Sequence, residues 1–153
     1  MELFYTASQD AQAVSTAVDL FHFTIADDKP MWLWAIEIAQ TTDLGDSQEE
    51  VLRIGLYSAV TGGGGGTGLT EVAMNDYNSI SAGTAVVGQG TASTSGTLRK
   101  TFYWNIRQAG PIWIATPETV VRLGQGSSAS ALRLLAAPAD SITLSAEVMW
   151  AEG

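Results

Sequence analysis

Gly63, Gly65 and Gly68, within TGGGGGTG at residues 61–68, have the G-x-G-x-x-G spacing of a dinucleotide-binding turn. That chemistry needs a strand leading into the glycines and a helix opening after them, whose N-terminal amides hold the pyrophosphate. Here Gly68 runs into LTEVAMNDYNS, which has no helical period. No acid stands about 20 residues beyond the run to hold a ribose, and no Gly-Lys-Ser/Thr follows to make a phosphate loop. The run reads as a loop rather than a nucleotide site.

His22 is the only histidine, flanked by Phe21 and Phe23. A lone imidazole cannot build a multi-histidine metal centre, and as a general base it would need a nucleophile. Serines are plentiful, but no G-x-S-x-G stretch presents one. A structural or surface histidine is the expectation. The acids of DLGDSQEE (Asp43, Asp46, Glu49 and Glu50) could hold a weak calcium ion, yet their spacing does not match an EF-hand loop and a polar turn explains them as well. A carboxylate pair for sugar hydrolysis is a matter of three-dimensional separation, and nothing singles one out. Trp32, Trp34, Trp104, Trp113 and Trp150 are read as core or subunit-contact residues, with a sugar-stacking platform as the rival reading. No residue is assigned a catalytic, cofactor-binding or metal-binding role, and no cofactor is expected.

The elements that must position these groups are strands. Leu52, Ile54 and Leu56 alternate with Arg53 and Tyr57 in VLRIGLYS. In ITLSAEVMW, Ile142, Leu144, Ala146, Val148 and Trp150 alternate with Thr143, Ser145 and Glu147. Period two of this kind marks half-buried strands. It also predicts one face for Trp32, Trp34, Ile36 and Ile38, opposed by Met31, Leu33 and Ala35, and one face for Leu98, Phe102, Trp104 and Ile106. SQEEVLRI carries a capping-box pattern from Ser47 to Glu50, but the alternation through Leu56 favours a strand. Turn residues such as Asp27-Asp28-Lys29-Pro30, Gly110-Pro111 and Pro138-Ala139-Asp140 separate the segments. Seven to nine short strands are expected, in one all-β domain spanning residues 1–153: an antiparallel β-sandwich or jelly roll with one long Gly-rich excursion. Residues 1–15 are a candidate N-terminal arm. Residues 61–96 hold ten of the sixteen glycines and are expected to be a flexible Gly/Ser/Thr-rich excursion, with Leu69–Met74 and Thr84–Val87 forming a hairpin inside it.

Charge is unevenly spread. Residues 1–50 carry ten acids and one base, Lys29, whereas residues 51–153 carry six of each, including all five arginines. An acidic chain of net charge −9 repels phosphate backbones and anionic membranes, so neither nucleic acid nor membrane is an expected partner. The acidic third is either a solvated face or a pole that docks on a basic surface. The chain has no cysteine, so no disulfide or thiolate metal site supports the fold. No run reaches the roughly 18 apolar residues of a membrane-spanning helix, and MELFYTASQDAQ lacks the basic-then-apolar order of a secretory signal.

Several stretches, in order, resemble a family of small virion proteins of tailed bacteriophages: YTAS, AVDLFHFT, WAIEIAQTTDLGDSQEEVLRIGL, and GPIWIATPETVVRLGQGSSASALRLLAAPADSITLSAEVMW. The likeness leaves out residues 61–96 and rests on strand-and-turn patterns. It implies a β-sandwich or jelly roll on the capsid exterior, made in the host cytoplasm without a signal peptide. The implied role is structural rather than enzymatic: a capsid decoration (cement) protein bridging major capsid subunits. A homo-oligomer, trimer or dimer, is expected with it, and the acidic third or residues 1–15 would contact the capsid. A carbohydrate- or receptor-binding head or tail module is the alternative, and an enzyme ranks last.

Overall fold

The computed structural model describes residues 3–41, 50–75, 82–124 and 128–153. Asp43, Asp46, Glu49 and Ser47 lie outside these residues. Among the described residues every regular element is a strand, and no helix is long and apolar enough to cross a membrane. Twelve strands form two antiparallel six-stranded sheets packed as a β-sandwich.

Sheet A holds β1 (Leu3–Val14), β3 (Met31–Gln40), β6 (Val72–Ala73), β9 (Ile112–Ile114), β10 (Val121–Gly124) and β12 (Ile142–Glu152). Its order is β10-β3-β12-β1-β6, and β9 pairs with β3 further along the edge that β10 occupies. Sheet B holds β2 (Val18–Thr24), β4 (Val51–Ser58), β5 (Thr67–Gly68), β7 (Ala85–Thr91), β8 (Thr97–Asn105) and β11 (Ala129–Leu134), in the order β5-β7-β2-β11-β4-β8. The first four strands alternate between the sheets, so the core is closed by contacts far apart in sequence.

That core joins Tyr5, Leu33, Ile36, Ile38, Val148 and Trp150 of sheet A to Phe21, Phe23, Ile54, Phe102, Trp104 and Leu132 of sheet B. Tyr5 stacks on Trp150, with ring centroids 5.8 Å apart. Burial of two indoles and several aromatic rings supplies much of the apolar driving force in a chain without disulfides. In β4 and β12 the buried and outward positions fall where period two places them. β4 also starts at Val51, as a strand rather than a capped helix.

Two strands depart from strict alternation. In β3 the pairing with β12 steps from Ala35↔Met149 to Leu33↔Trp150, so Trp34 is an extra residue. The buried set becomes Met31, Leu33, Ile36 and Ile38, with Trp32 and Trp34 half-buried outside. In β8 the pairing with β4 steps from Leu56↔Lys100 to Tyr57↔Leu98 around Arg99, which puts Leu98 outside while Phe102, Trp104 and Ile106 stay buried. A bulge shifts everything on one side of it by a residue and so exchanges the faces.

Within the candidate arm of residues 1–15, Leu3–Val14 forms β1 and pairs with β12 along the strand. The expected hairpin between Leu69–Met74 and Thr84–Val87 does not form as such. β5 pairs with β7 in sheet B, and Leu69 N–H donates to the Val86 carbonyl at 2.9 Å, whereas β6 crosses to sheet A and pairs with β1. Unfilled backbone groups on β1, at the edge of sheet A, draw Val72–Ala73 away from β7 and so cut the local hairpin short.

Candidate functional site: a sealed polar cluster and a charged outer surface

β2, VDLFHFT, is buried along its length except at Thr24, so Asp19 has no access to water. A buried carboxylate must be paired and hydrogen-bonded. Asp19 Oδ1 accepts from Ser93 Oγ at 3.0 Å and lies 3.6 Å from Arg133 Nε, and Asp19 Oδ2 lies 3.2 Å from His22 Nδ1. Arg133, on β11, also donates from Nη2 to Ser93 Oγ at 2.6 Å and to the Ser95 carbonyl at 3.1 Å. Its guanidinium stacks 4.3 Å from the centroid of Tyr57 on β4. A bulge between Leu132 and Arg133, where β11 meets β2, sets Arg133 opposite Asp19.

The glycine run closes over this cluster. Gly62 to Gly65 all have φ between 64° and 79°, the left-handed region that glycine enters without strain. A Cβ on Gly63 would stand 2.6 Å from Asp19 Oδ2 and 2.7 Å from Ser93 Cβ. The next residue, Gly64, passes beside the His22 ring. Thr61 pairs with Thr94 and Gly64 with Thr91, which ties both ends of the run to the connection bearing Ser93. After Gly68 the chain continues into the turn before β6, so no helix N-terminus faces the glycines. Of the three spaced glycines, only Gly63 packs against the buried ion pair; a Cβ on Gly65 or Gly68 would meet nothing within 4 Å.

The cluster contains serine, histidine and aspartate, but their order differs from a relay triad. In a triad the imidazole stands between the serine and the carboxylate. Here Ser93 donates directly to Asp19 and accepts from Arg133, and His22 reaches only the far oxygen of the carboxylate. This wiring places a carboxylate rather than an imidazole on Ser93. Its chemical capacity is to hold strands β2 and β11 and the glycine run together. Sequence reading singled out His22 without its partners. The usable signal was a charged residue inside an otherwise apolar strand, three positions from the histidine.

A second polar anchor is Glu152. Its carboxylate accepts from the backbone N–H of Gly83 at 2.7 Å and of Thr84 at 2.8 Å, and from Trp150 Nε1 at 3.0 Å. Burial alone would raise its pKa, but these hydrogen bonds hold it below the ordinary carboxylate value. Glu50, counted above among the calcium candidates, accepts from Ala139 N–H at 2.8 Å and so serves a turn. Among the described residues no group of three His, Cys, Asp or Glu is placed to hold a metal ion.

The outer surface of sheet A is different in kind. Glu37 of β3 lies directly opposite Glu147 of β12, with Ser8 of β1 opposite Glu147 on its other side. These residues and Asp10 line a shallow depression of about 340 Å³. It adjoins a groove of about 540 Å³ lined by Asp10, Gln12, Thr67 and Gln89. At the β1 bulge between them, Ser145 Oγ accepts from Ala11 N–H at 3.0 Å and donates to Asp10, replacing the ladder bond that the bulge removes.

Of the tryptophans, Trp104 and Trp150 are core residues. Trp113 packs edge-on to Phe102 at 6.1 Å beneath the Lys100 ammonium. That contact brings the β9 edge of sheet A beside the β8 edge of sheet B. On this flank Tyr103, Ile112 and Ile114 are 67%, 66% and 71% exposed. At the opposite edge of sheet A, Val72 and Met74 are 54% and 58% exposed. Comparison with family models, with curated proteins and with solved structures found no match.

Proposed function

We propose that this β-sandwich is a structural protein of a tailed-phage virion that decorates and stabilises the capsid by bridging neighbouring subunits. The observation that carries the reading is the pair of apolar flanks. Exposed large apolar side chains stand at both lateral edges of one sheet, Ile112 and Ile114 at one and Val72 and Met74 at the other. Contiguous exposed apolar groups mark interaction surfaces, and a bridging protein needs two of them. The capsid as the lattice comes from the resemblance of the strand-and-turn stretches. The test is the copy number of this protein in purified virions by mass spectrometry, with capsid occupancy of a Val72→Ser/Met74→Ser variant beside it. A copy number comparable with the major capsid protein, and occupancy lost in the variant, is the expected result. A few copies per particle, or none, would remove the decoration role.

A carbohydrate- or receptor-binding module is the second reading, favoured by the polar groove at Asp10, Gln12, Thr67 and Gln89. Glycan titration with Gln12→Ala as control separates the two readings.

A further inference from the structure

Four of the seven cations gather at one edge of the molecule. These four, Arg53, Arg99, Lys100 and Arg107, belong to β4, β8 and the turn after β8, at one edge of sheet B. On the outer side of sheet A beside that edge, a recess of about 100 Å³ has an apolar floor that includes Ala35 and Met149. Its rim carries Glu37, Glu147, Ile112 and Ile114. Like charges directly opposite on adjacent strands oppose pairing of the sheet, and Glu37 and Glu147 are such a pair. A recess with an apolar floor and two carboxylates on its rim fits a long cationic side chain, with the stem on the floor and the charge between the acids.

The protein carries such a group on its other outer face. Arg53 stands opposite Tyr103 in the β4–β8 pair, its guanidinium 5.9 Å from the phenol ring centroid, and both residues are exposed. We infer that the occupant of the Glu37–Glu147 recess is a second copy of this chain, presenting Arg53 and Tyr103. The two patches lie on opposite outer faces but near one flank. Copies arranged around an axis beside that flank each offer Arg53 to the next copy's recess, so the contacts are head-to-tail, and a rotation between copies that closes makes them a ring. The contact brings Tyr103 against Ile112 and Ile114, which covers the exposed apolar groups of this flank. It rests on reading that flank as an interface, and it leaves Val72 and Met74 free for a different neighbour.

The test uses the purified full-length chain without capsid, with mass measured by light scattering across a concentration series at low and high salt. The expected result is a closed oligomer whose dissociation constant rises with salt. Arg53→Glu alone, and Glu37→Arg/Glu147→Arg together, should each weaken association by on the order of 100-fold. All three substitutions in one chain should restore the oligomer, a rescue that misfolding cannot produce. A monomer at every concentration overturns the inference, as does an oligomer indifferent to these charges or a triple variant that stays monomeric. None of these outcomes bears on virion copy number, so the decoration reading stands or falls separately.

Discussion

Asp19 and Glu147 are carboxylates on interior strands of their sheets, one sealed from water and the other exposed beside a second carboxylate. Asp19 is surrounded by Ser93, His22 and Arg133, so its desolvation is offset by hydrogen bonds and a cation. Glu147 faces Glu37 in high dielectric, where repulsion is weak and a partner can still be gained. The first region spends its charges on holding the chain together, and the second keeps its charges open. The difference teaches which charges are committed to hydrogen bonds within the chain and which remain open to a partner.

The largest effect should come from breaking the sealed region. Asp19→Ala leaves Arg133 nearly buried without its carboxylate, and unfolding by urea should show a loss of about 3–5 kcal/mol. A loss under 1 kcal/mol would mean that water reaches the cluster. Gly63→Ala forces a Cβ towards Asp19 and Ser93 at a φ of +79°, and the same measurement should show a loss of more than about 1 kcal/mol. If Gly63→Ala is neutral, the run does not close on the cluster.

Glu152 gives the comparison a pH axis. Its folded pKa lies below the usual 4.5, so its contribution is full above that value and is lost as pH falls through the lower folded one. The stability gap between the wild type and Glu152→Gln should therefore narrow as pH is taken from neutral to below 4.5. A gap that widens on acidification would reverse the assignment. The smallest effect belongs to the open region. Glu147→Gln relieves the facing pair and should stabilise the isolated protein by about 0.2–1 kcal/mol at low salt. A destabilised variant would show that Glu147 is already satisfied within its own chain.

Much of the sheet structure was legible in the residues. Leu52, Ile54 and Leu56, and Ile142 to Trp150 at alternate positions, are buried as their period requires. The misplaced faces share one physical cause. Trp34 and Arg99 are bulge residues, and a bulge leaves no local mark in the alternation of hydrophobic side chains. Reading through them put Trp34 with Ile36 and Ile38, and Leu98 with Phe102. What Gly63 packs against was invisible in the sequence, because Asp19, Ser93 and Arg133 lie far from it in the chain. Of the hairpin expected within residues 61–96, only Thr67 to Leu69 reach β7, because Val72–Ala73 pairs with β1 instead.

Alternation of apolar and polar residues, turn residues between the runs and the absence of cysteine determined by themselves that this chain would be an antiparallel sandwich held by its core. Local pattern suffices there, because the face a side chain takes follows from the pleat. Only the tertiary structure decided where the pleat slips, which charges are sealed and which are left facing each other. Those outcomes depend on strand partners distant in sequence. Asp19 meets Arg133, and Glu37 meets Glu147, only once both sheets have closed.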